Sequence, residues 1–427
     1  MTIRAFFFWL KDRIIGHGTL KMSYEDVLRS FSENEENIEQ REEILNWATK
    51  EVPFYKQYKG KQFEEFPIVN KNIVRDGGDD FLATCMKDTP LHEERTSGST
   101  GTPFRVFQDS KKRLRASADS LAMSDFAGFH LGTRLYYVRV WNDLNRKGRL
   151  MSFMQNIVMQ DSDNLSDAAL ETWLVKMEKD KSKKSILGYA SSLVALEKWM
   201  TRTCRNTTAK VTCIITMSET MPIESKKTLS KLFGCPVISR YSNQECGLIS
   251  QQCKDGDEYH INTRSFYVEI LDLEKDEPVP DGVKGRIVVT DLFNRAMPLI
   301  RYDTGDIGAI SHMPKCGSKG KVLTSVEGRK VDCFYSTKGE MLSPVTIINT
   351  MWFFNDLLQY QFIQQGEKEY EMRLNSATPV YVREGEVVNA IKKIVGIDAD
   401  IKVTYVNEVP TLNSGKRNQV VNNYNKA

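Results

Sequence analysis

Pro236-Val237-Ile238-Ser239-Arg240-Tyr241-Ser242-Asn243-Gln244-Glu245-Cys246-Gly247 joins a short β-branched run to a polar, turn-forming string, and its surroundings decide the fold class. Just upstream, Pro222 and Phe233-Gly234 mark the two ends of a helix, because proline suits a first turn and glycine suits the position after the last. Before that helix, Val211-Thr212-Cys213-Ile214-Ile215-Thr216-Met217 is an apolar run of strand length, the composition of a strand covered on both faces. Strand, helix, strand in this order predicts a parallel pair in an α/β sheet. Tyr241 to Glu245 then fall at a strand's carboxyl end, where ligands of open α/β sheets sit.

The alternation extends in both directions. Upstream, Lys111 to Phe129 reads as a helix closing at Gly132, Arg134 to Trp141 as a strand, Ser166 to Lys181 as a helix capped by Ser166, and Ser192 to Met200 as another helix. The first 90 residues are helix-rich, with Ser23 or Ser32 as N-caps. Downstream, Phe266 to Asp272, Arg286 to Thr290 and Ile307 to Ser311 are β-rich, with Pro278 to Gly282 as a turn. From about residue 331 a small unit follows, with a helix near 346–355, strands at 358–364 and 369–375, a helix from Glu384 to Val395 and a strand at 401–406. The expected class is α/β, mixed α+β. Residues 1–330 form a large N-terminal domain with α/β sheet layers and a β-subdomain, and residues 331–427 a small mobile C-terminal α+β domain.

Composition narrows the function. Among 427 residues, 59 basic and 56 acidic side chains leave a net charge of +3, which makes no case for a nucleic-acid partner. Eight cysteines lie scattered without the spacing of a secreted disulfide framework, so a reducing cytoplasm is expected. Ala5-Phe6-Phe7-Phe8-Trp9-Leu10 is too short for a signal peptide's apolar region. With Lys11 to Ile15 it suits either an amphipathic helix on a membrane surface or, as the plainer reading, a helix packed on the domain or on a partner.

Other strings carry chemistry. In Arg95-Thr96-Ser97-Gly98-Ser99-Thr100-Gly101-Thr102-Pro103, glycines let backbone N–H groups converge on an anion and hydroxyls add donors. No lysine follows Gly101, so this is not a P-loop, and a cation for phosphates must come from elsewhere. Pro410 to Lys416 offers one on a polar, turn-forming segment. Between them stand the Arg240 to Gly247 string, Pro298-Leu299-Ile300-Arg301-Tyr302-Asp303-Thr304-Gly305-Asp306, and Glu327-Gly328-Arg329. These five strings, in this order, resemble the adenylate-forming superfamily of acyl-CoA synthetases, adenylation domains and luciferases. The segment from His260 through Asp306, with Val52 to Tyr55 and Phe66 to Lys71 upstream, is most similar to the phenylacetate-CoA ligase and CapK branch, and the resemblance spans roughly residues 45–420.

The resemblance implies an ATP-dependent, AMP-forming ligase for a small-molecule carboxylate. Thr96, Ser97, Gly98, Ser99, Thr100 and Gly101 are then expected at the β- and γ-phosphates, Glu245 at Mg²⁺, and Lys416 at the α-phosphate. Asp306 falls at the ribose hydroxyls, Tyr241 on adenine, Ser218 and Glu219 beside it, and Arg329 near the nucleotide. Each has a plain structural reading beside it: a surface lysine for Lys416, an exposed glutamate for Glu245, a turn at Asp303 to Asp306, a half-buried aromatic for Tyr241, and a salt bridge for Arg329. Trp141 and Tyr189 are expected at the acid, by analogy with the branch. The family often has an acidic hinge residue where this chain has Val331, with Asp332 next. Members of the branch can carry structural zinc on residues near Cys253, His260 and Cys316. The second downstream cysteine of that pattern is replaced here by Pro314, which leaves isolated buried thiols as the alternative. Cys246 reads as a small apolar filler rather than a nucleophile. The phenylacetate-CoA ligase likeness implies CoA as acceptor, and the CapK likeness implies an amino sugar in surface polysaccharide assembly. A catalytically inactive nucleotide-binding protein or scaffold is a third reading. A homodimer and a peripheral contact at the inner face of a membrane stay open as partners.

Overall fold

The computed structural model describes residues 2–33, 36–96, 104–141, 146–162, 164–329, 333–354, 356–410 and 418–424. Among them a twelve-stranded sheet changes character halfway across. Five neighbours, in the spatial order Ile157–Asp161, Arg134–Arg139, Lys184–Tyr189, Val211–Met217 and Val237–Asn243, run parallel. Beyond them Gly247–Gln252, Tyr259–Ile261, Val322–Arg329, Tyr302–Ser311, Gly285–Asp291 and Phe266–Leu271 run antiparallel. Val69–Asn70 adds a short parallel pairing to the start of Tyr302–Ser311. The mixed α/β class expected from the alternation is the class observed.

The two halves differ for a physical reason. Parallel strands need crossovers long enough to hold a helix, and Asp167–Lys179, Ala190–Arg202 and Ile223–Phe233 supply them. Their faces being covered, the strands are apolar, and Tyr136, Val138, Ile214, Trp173, Leu193, Leu196, Leu229 and Phe233 form one core. The antiparallel half builds a second core from Tyr55, Phe66, Phe81, Ile270, Ile287, Val289 and Tyr302. Each such large side chain stabilises the fold by roughly 1.5–3 kcal/mol relative to exposure. After residue 333 a four-stranded sheet in the order Asp400–Tyr405, Glu369–Asn375, Gln359–Gln364, Val420–Asn422 packs with the helices Pro344–Met351 and Glu384–Val395 around Phe362, Met372, Val387 and Ile391. It touches the larger sheet's elements where Lys198 Nζ donates to the Leu357 carbonyl at 3.3 Å and Ser343 Oγ donates to the Glu327 carbonyl at 3.4 Å.

Some local expectations are corrected. Ser23 lies inside the helix Thr19–Leu28 and caps nothing, because Asp12 reaches over from the preceding helix and accepts from the Leu20 and Lys21 amides at 3.3 and 3.0 Å. Ser32 follows the short turn Arg29–Phe31 instead of opening a helix. Ser166 occupies the N-cap position without a side-chain cap bond. The helix expected to close at Gly132 is Ser110–Phe126, capped by Asp109, whose carboxylate accepts from Lys112 N at 2.8 Å. Pro222 and Gly234 do bound the helix Ile223–Phe233, with Gly234 left-handed at φ 61°. Among the described residues no helix is long and apolar enough to cross a membrane.

Candidate nucleotide and acid site

One strand belongs to both halves of the sheet. Val237–Asn243 pairs in parallel with Val211–Met217 as far as Thr216↔Ser239, then antiparallel with Gly247–Gln252 from Arg240↔Gln251 onward. Tyr241 follows directly. Its buried hydroxyl donates to Asp306 Oδ2 at 2.8 Å and lies 3.2 Å from Thr304 Oγ1. Thr304 in turn donates to the Ile287 carbonyl at 2.9 Å and accepts from Asp306 N at 3.2 Å. Burial first, and the Asp306 carboxylate second, hold the Tyr241 hydroxyl well above the ordinary tyrosine range, so it stays a donor. The Asp303 to Asp306 segment, whose plain reading is a turn, is the opening of the strand Tyr302–Ser311. A register shift after Asp306, Gly305 at φ 78° and the Asp303 carboxylate accepting from Gly305 N at 2.8 Å keep a turn's geometry within it.

Glu245 sits in the hairpin turn that joins Val237–Asn243 to Gly247–Gln252. Gly247 supplies a φ of 100°, and Asn243 Oδ1 accepts from Cys246 N at 2.7 Å. Tyr302 O–H donates to Glu245 Oε1 at 3.4 Å. Beneath the turn, Lys112 Nζ donates to the Cys246 carbonyl at 2.7 Å and lies 2.6 Å from Asp291 Oδ2, with both charged side chains out of solvent. Sequence reasoning missed Lys112, Tyr302 and Thr304 as parts of this arrangement. Lys111-Lys112-Arg113 opens the stretch read as a helix, and nothing local marks the middle residue as buried. Cys246 is fully buried and its thiol is pushed well up by that burial, as its filler reading requires.

Ser218 and Glu219, expected beside adenine, and Tyr189 and Trp141, expected at the acid, lie at the carboxyl ends of the neighbouring parallel strands. Ser218 follows Val211–Met217 with φ 70°, and Glu219 Oε2 accepts from Ser191 N at 2.9 Å, at the start of the helix Ala190–Arg202. Tyr189 ends Lys184–Tyr189 opposite Met217. Burial lifts the Tyr189 hydroxyl, and the Arg139 guanidinium, hydrogen-bonded to it, pulls the other way. Arg139 also lies 5.5 Å above the ring of Trp141. The Trp141 indole N–H is spent on the Tyr137 and Gln160 carbonyls, each at 3.2 Å, so this ring offers a wall rather than a donor.

Cys253, His260 and Cys316 come together with their donor atoms within 4.8 Å of one another. His260 Nε2 is 3.3 Å from Cys316 Sγ, and its other ring nitrogen lies 3.2 Å from Ser318 Oγ. Burial lowers the imidazole to about 4. Two thiols and a buried imidazole with an outer hydroxyl partner form the donor set of a structural zinc site short of one ligand.

Several expected residues lie outside the described ones: Ser97, Gly98, Ser99, Thr100, Gly101, Val331, Asp332 and Lys416. Thr96 ends the strand His92–Thr96, paired with Phe104, and Arg329 ends Val322–Arg329, paired in register with Asp306. The side chains of Thr96 and Arg329 are likewise outside the description. The described strings nonetheless meet. Arg301 donates to the Glu64 and Phe66 carbonyls at 2.8 and 3.1 Å, which joins the Phe66 to Lys71 string to the Tyr302 to Asp306 string.

Comparison with known proteins agrees with this architecture. The family model of the CapK C-terminal domain matches residues 334–423. Protein CapK of Staphylococcus aureus is 22% identical, over 94% of this chain and 93% of its own. A phenylacetate-coenzyme A ligase of Aromatoleum evansii is 27% identical over 36% of this chain and 38% of its own. Among solved structures, 2-hydroxyisobutyryl-CoA ligase in the postadenylation state, in complex with R3-HIB-AMP, superposes with a TM-score of 0.72 at 17% identity, covering 92% of this chain and 91% of that one. Residues 334–423 thus match the CapK C-terminal domain, the chain is similar to protein CapK along nearly its whole length and to phenylacetate-coenzyme A ligases over part of it, and its fold is that of the acyl-CoA ligase structures.

Proposed function

We propose that this protein is an ATP-dependent, AMP-forming ligase that activates a carboxylic acid as an acyl adenylate and passes the acyl group to an acceptor. The observation that carries the reading is the meeting of Tyr241, Thr304 and Asp306 at the strand common to both halves of the sheet, with Tyr302 holding Glu245 beside them. A carboxylate resists amines and thiols because its leaving group would be oxide. Attack of its oxygen on the α-phosphorus of ATP forms the acyl adenylate and expels pyrophosphate, after which a thiol or amine displaces AMP. Both first reactants are anions, so the barrier falls only if donors and cations are already in place. Asp306 accepts the ribose hydroxyls, and Tyr241, its hydroxyl fixed on that carboxylate, presents its ring to adenine. Thr96 to Gly101 take the outgoing phosphates, Arg329 reaches the nucleotide, and Lys416 supplies the mobile charge. Glu245 is the carboxylate that would hold Mg²⁺, a hard ion suited to oxygen. Residues 1–330 bind ATP and acid, residues 331–427 act as a lid, and the hinge falls near 330–332.

Coenzyme A is the proposed acceptor, in keeping with the ligases of the branch. The rival, an amino sugar, is favoured by the likeness to CapK, which extends over nearly the whole chain. The chemistry itself needs neither a second copy nor a membrane. Carboxylate-dependent pyrophosphate release across an acid panel, followed by product mass with coenzyme A or with amino sugars, tests both steps. Release that no acid accelerates ends the ligase reading, and an N-acyl sugar formed in place of a thioester transfers the acceptor to the rival. Cys253, His260 and Cys316 are proposed to hold zinc. Elemental analysis is expected to find about one zinc per chain and none in Cys253→Ser.

A further inference from the structure

The helix Ile3–Ile15 is apolar on two opposite faces. Inward, Ala5 is buried, Trp9 packs 5.2 Å from Tyr24, and Thr2 caps the Ala5 amide. Outward, Ile3, Phe6, Phe7, Leu10 and Ile14 fall within an arc of about 100° at 3.6 residues per turn. All five are exposed, Phe7 by 61% and Ile14 by 66%, on the face where a surface helix normally carries polar groups. On the same helical projection Arg13 flanks one edge of that arc, and Lys11 and Arg4 flank the other. Arg4 also joins this face to a second one. Its Nη1 donates to the Phe153 carbonyl at 2.6 Å and its guanidinium lies 4.8 Å over the Phe153 ring, in the helix Arg149–Met154. There Leu150, Met151, Phe153 and Met154 are exposed together, beside an exposed Arg149. The sole acidic residue on either helix is Asp12, and its carboxylate is committed to the Leu20 and Lys21 amides.

We propose that these two helices form a docking surface for an anionic lipid bilayer. The apolar arc enters the boundary between headgroups and acyl chains, while Arg4, Lys11, Arg13 and Arg149 meet lipid phosphates. Charge decides against a second copy of the chain as occupant. A two-fold pairing through this face would set those cations against their own duplicates, with no outward carboxylate on either helix to separate them. The surface is independent of the ligase chemistry and stands or falls apart from it.

The test is co-sedimentation of the full chain with phosphatidylcholine vesicles, with and without phosphatidylglycerol. Binding is expected only with phosphatidylglycerol present, and weakening as salt rises. Lys11→Gln and Arg13→Gln are each expected to lower partitioning about fivefold. Phe7→Glu is expected to abolish binding with its thermal melt unchanged, since the side chain it replaces faces solvent. Equal binding to both vesicle types, no binding to either, or a Phe7→Glu variant that sediments like the parent would overturn the proposal. A concentration-dependent dimer dispersed by Phe7→Glu, without lipid binding, would also overturn it and give the face to a second copy.

Discussion

The antiparallel half of the large sheet and the parallel half treat their candidate ligand groups differently. On the antiparallel side each group is tied to another fixed one: Tyr241 to Asp306, Thr304 to the Ile287 carbonyl, Glu245 to Tyr302, and the Glu245 turn to Lys112. On the parallel side, at the acid candidates, Arg139 leans on aromatic faces and bonds the Tyr189 hydroxyl, and Trp141 contributes a wall. A rigid constellation suits what every turnover shares, the nucleotide. A looser one suits what differs between relatives, the acid. Preorganisation is most effective where charge develops in the same place each time.

This contrast can be broken in four places, from the largest expected effect down. Lys112→Met leaves the Asp291 charge buried and alone, which is expected to cost about 3–5 kcal/mol of stability in denaturant titration. Lys112→Met with Asp291→Leu is expected to recover much of that loss, and a double variant no better than the single would mean the pair is not the cause. Lys416→Ala is expected to slow carboxylate-dependent pyrophosphate exchange about 10²–10³-fold while ATP still binds. Exchange at the parental rate removes that lysine from the chemistry. Tyr241→Phe deletes a hydrogen bond to a carboxylate, worth about 1.5–3 kcal/mol. The expected result is a KM for ATP raised about tenfold or more, with the ranking of acids untouched. Tyr189→Phe is expected to do the reverse, changing the ranking of acids a few-fold (within the ~1–3 kcal/mol of a single pocket contact) with the KM for ATP unmoved. If it shifts ATP instead, the division between the halves is wrong.

Much of the fold was legible where local chemistry and tertiary context agree. Val211–Met217 is apolar because both faces are covered, and Pro222 and Gly234 bound their helix by backbone geometry that no neighbour needs to supply. Legibility failed where a distant group does the work. Asp12 opens the helix Thr19–Leu28 from another helix, so no serine inside it was needed. Gly247–Gln252 carries Gln251 and Gln252 into the interior, which composition alone disfavours. The sheet accepts them because Gln251 donates to the Met123 carbonyl at 2.5 Å and takes Arg240 Nε at 2.8 Å, while Gln252 donates to the Asp257 carbonyl at 2.6 Å. In the site, Tyr241, Glu245 and Asp306 stood out through the strings that hold them. Lys112 did not, because its role comes from a partner 179 positions away in sequence, Asp291.

The strand Val237–Asn243 also limits how this scaffold can be recombined. An engineer exchanging the acid-recognising lobe for that of a cousin must avoid a splice anywhere in residues 211–252, because the incoming segment has to keep two registers of opposite polarity at once. A slip of one residue there would turn Tyr241 to the other side of the sheet and separate it from Asp306.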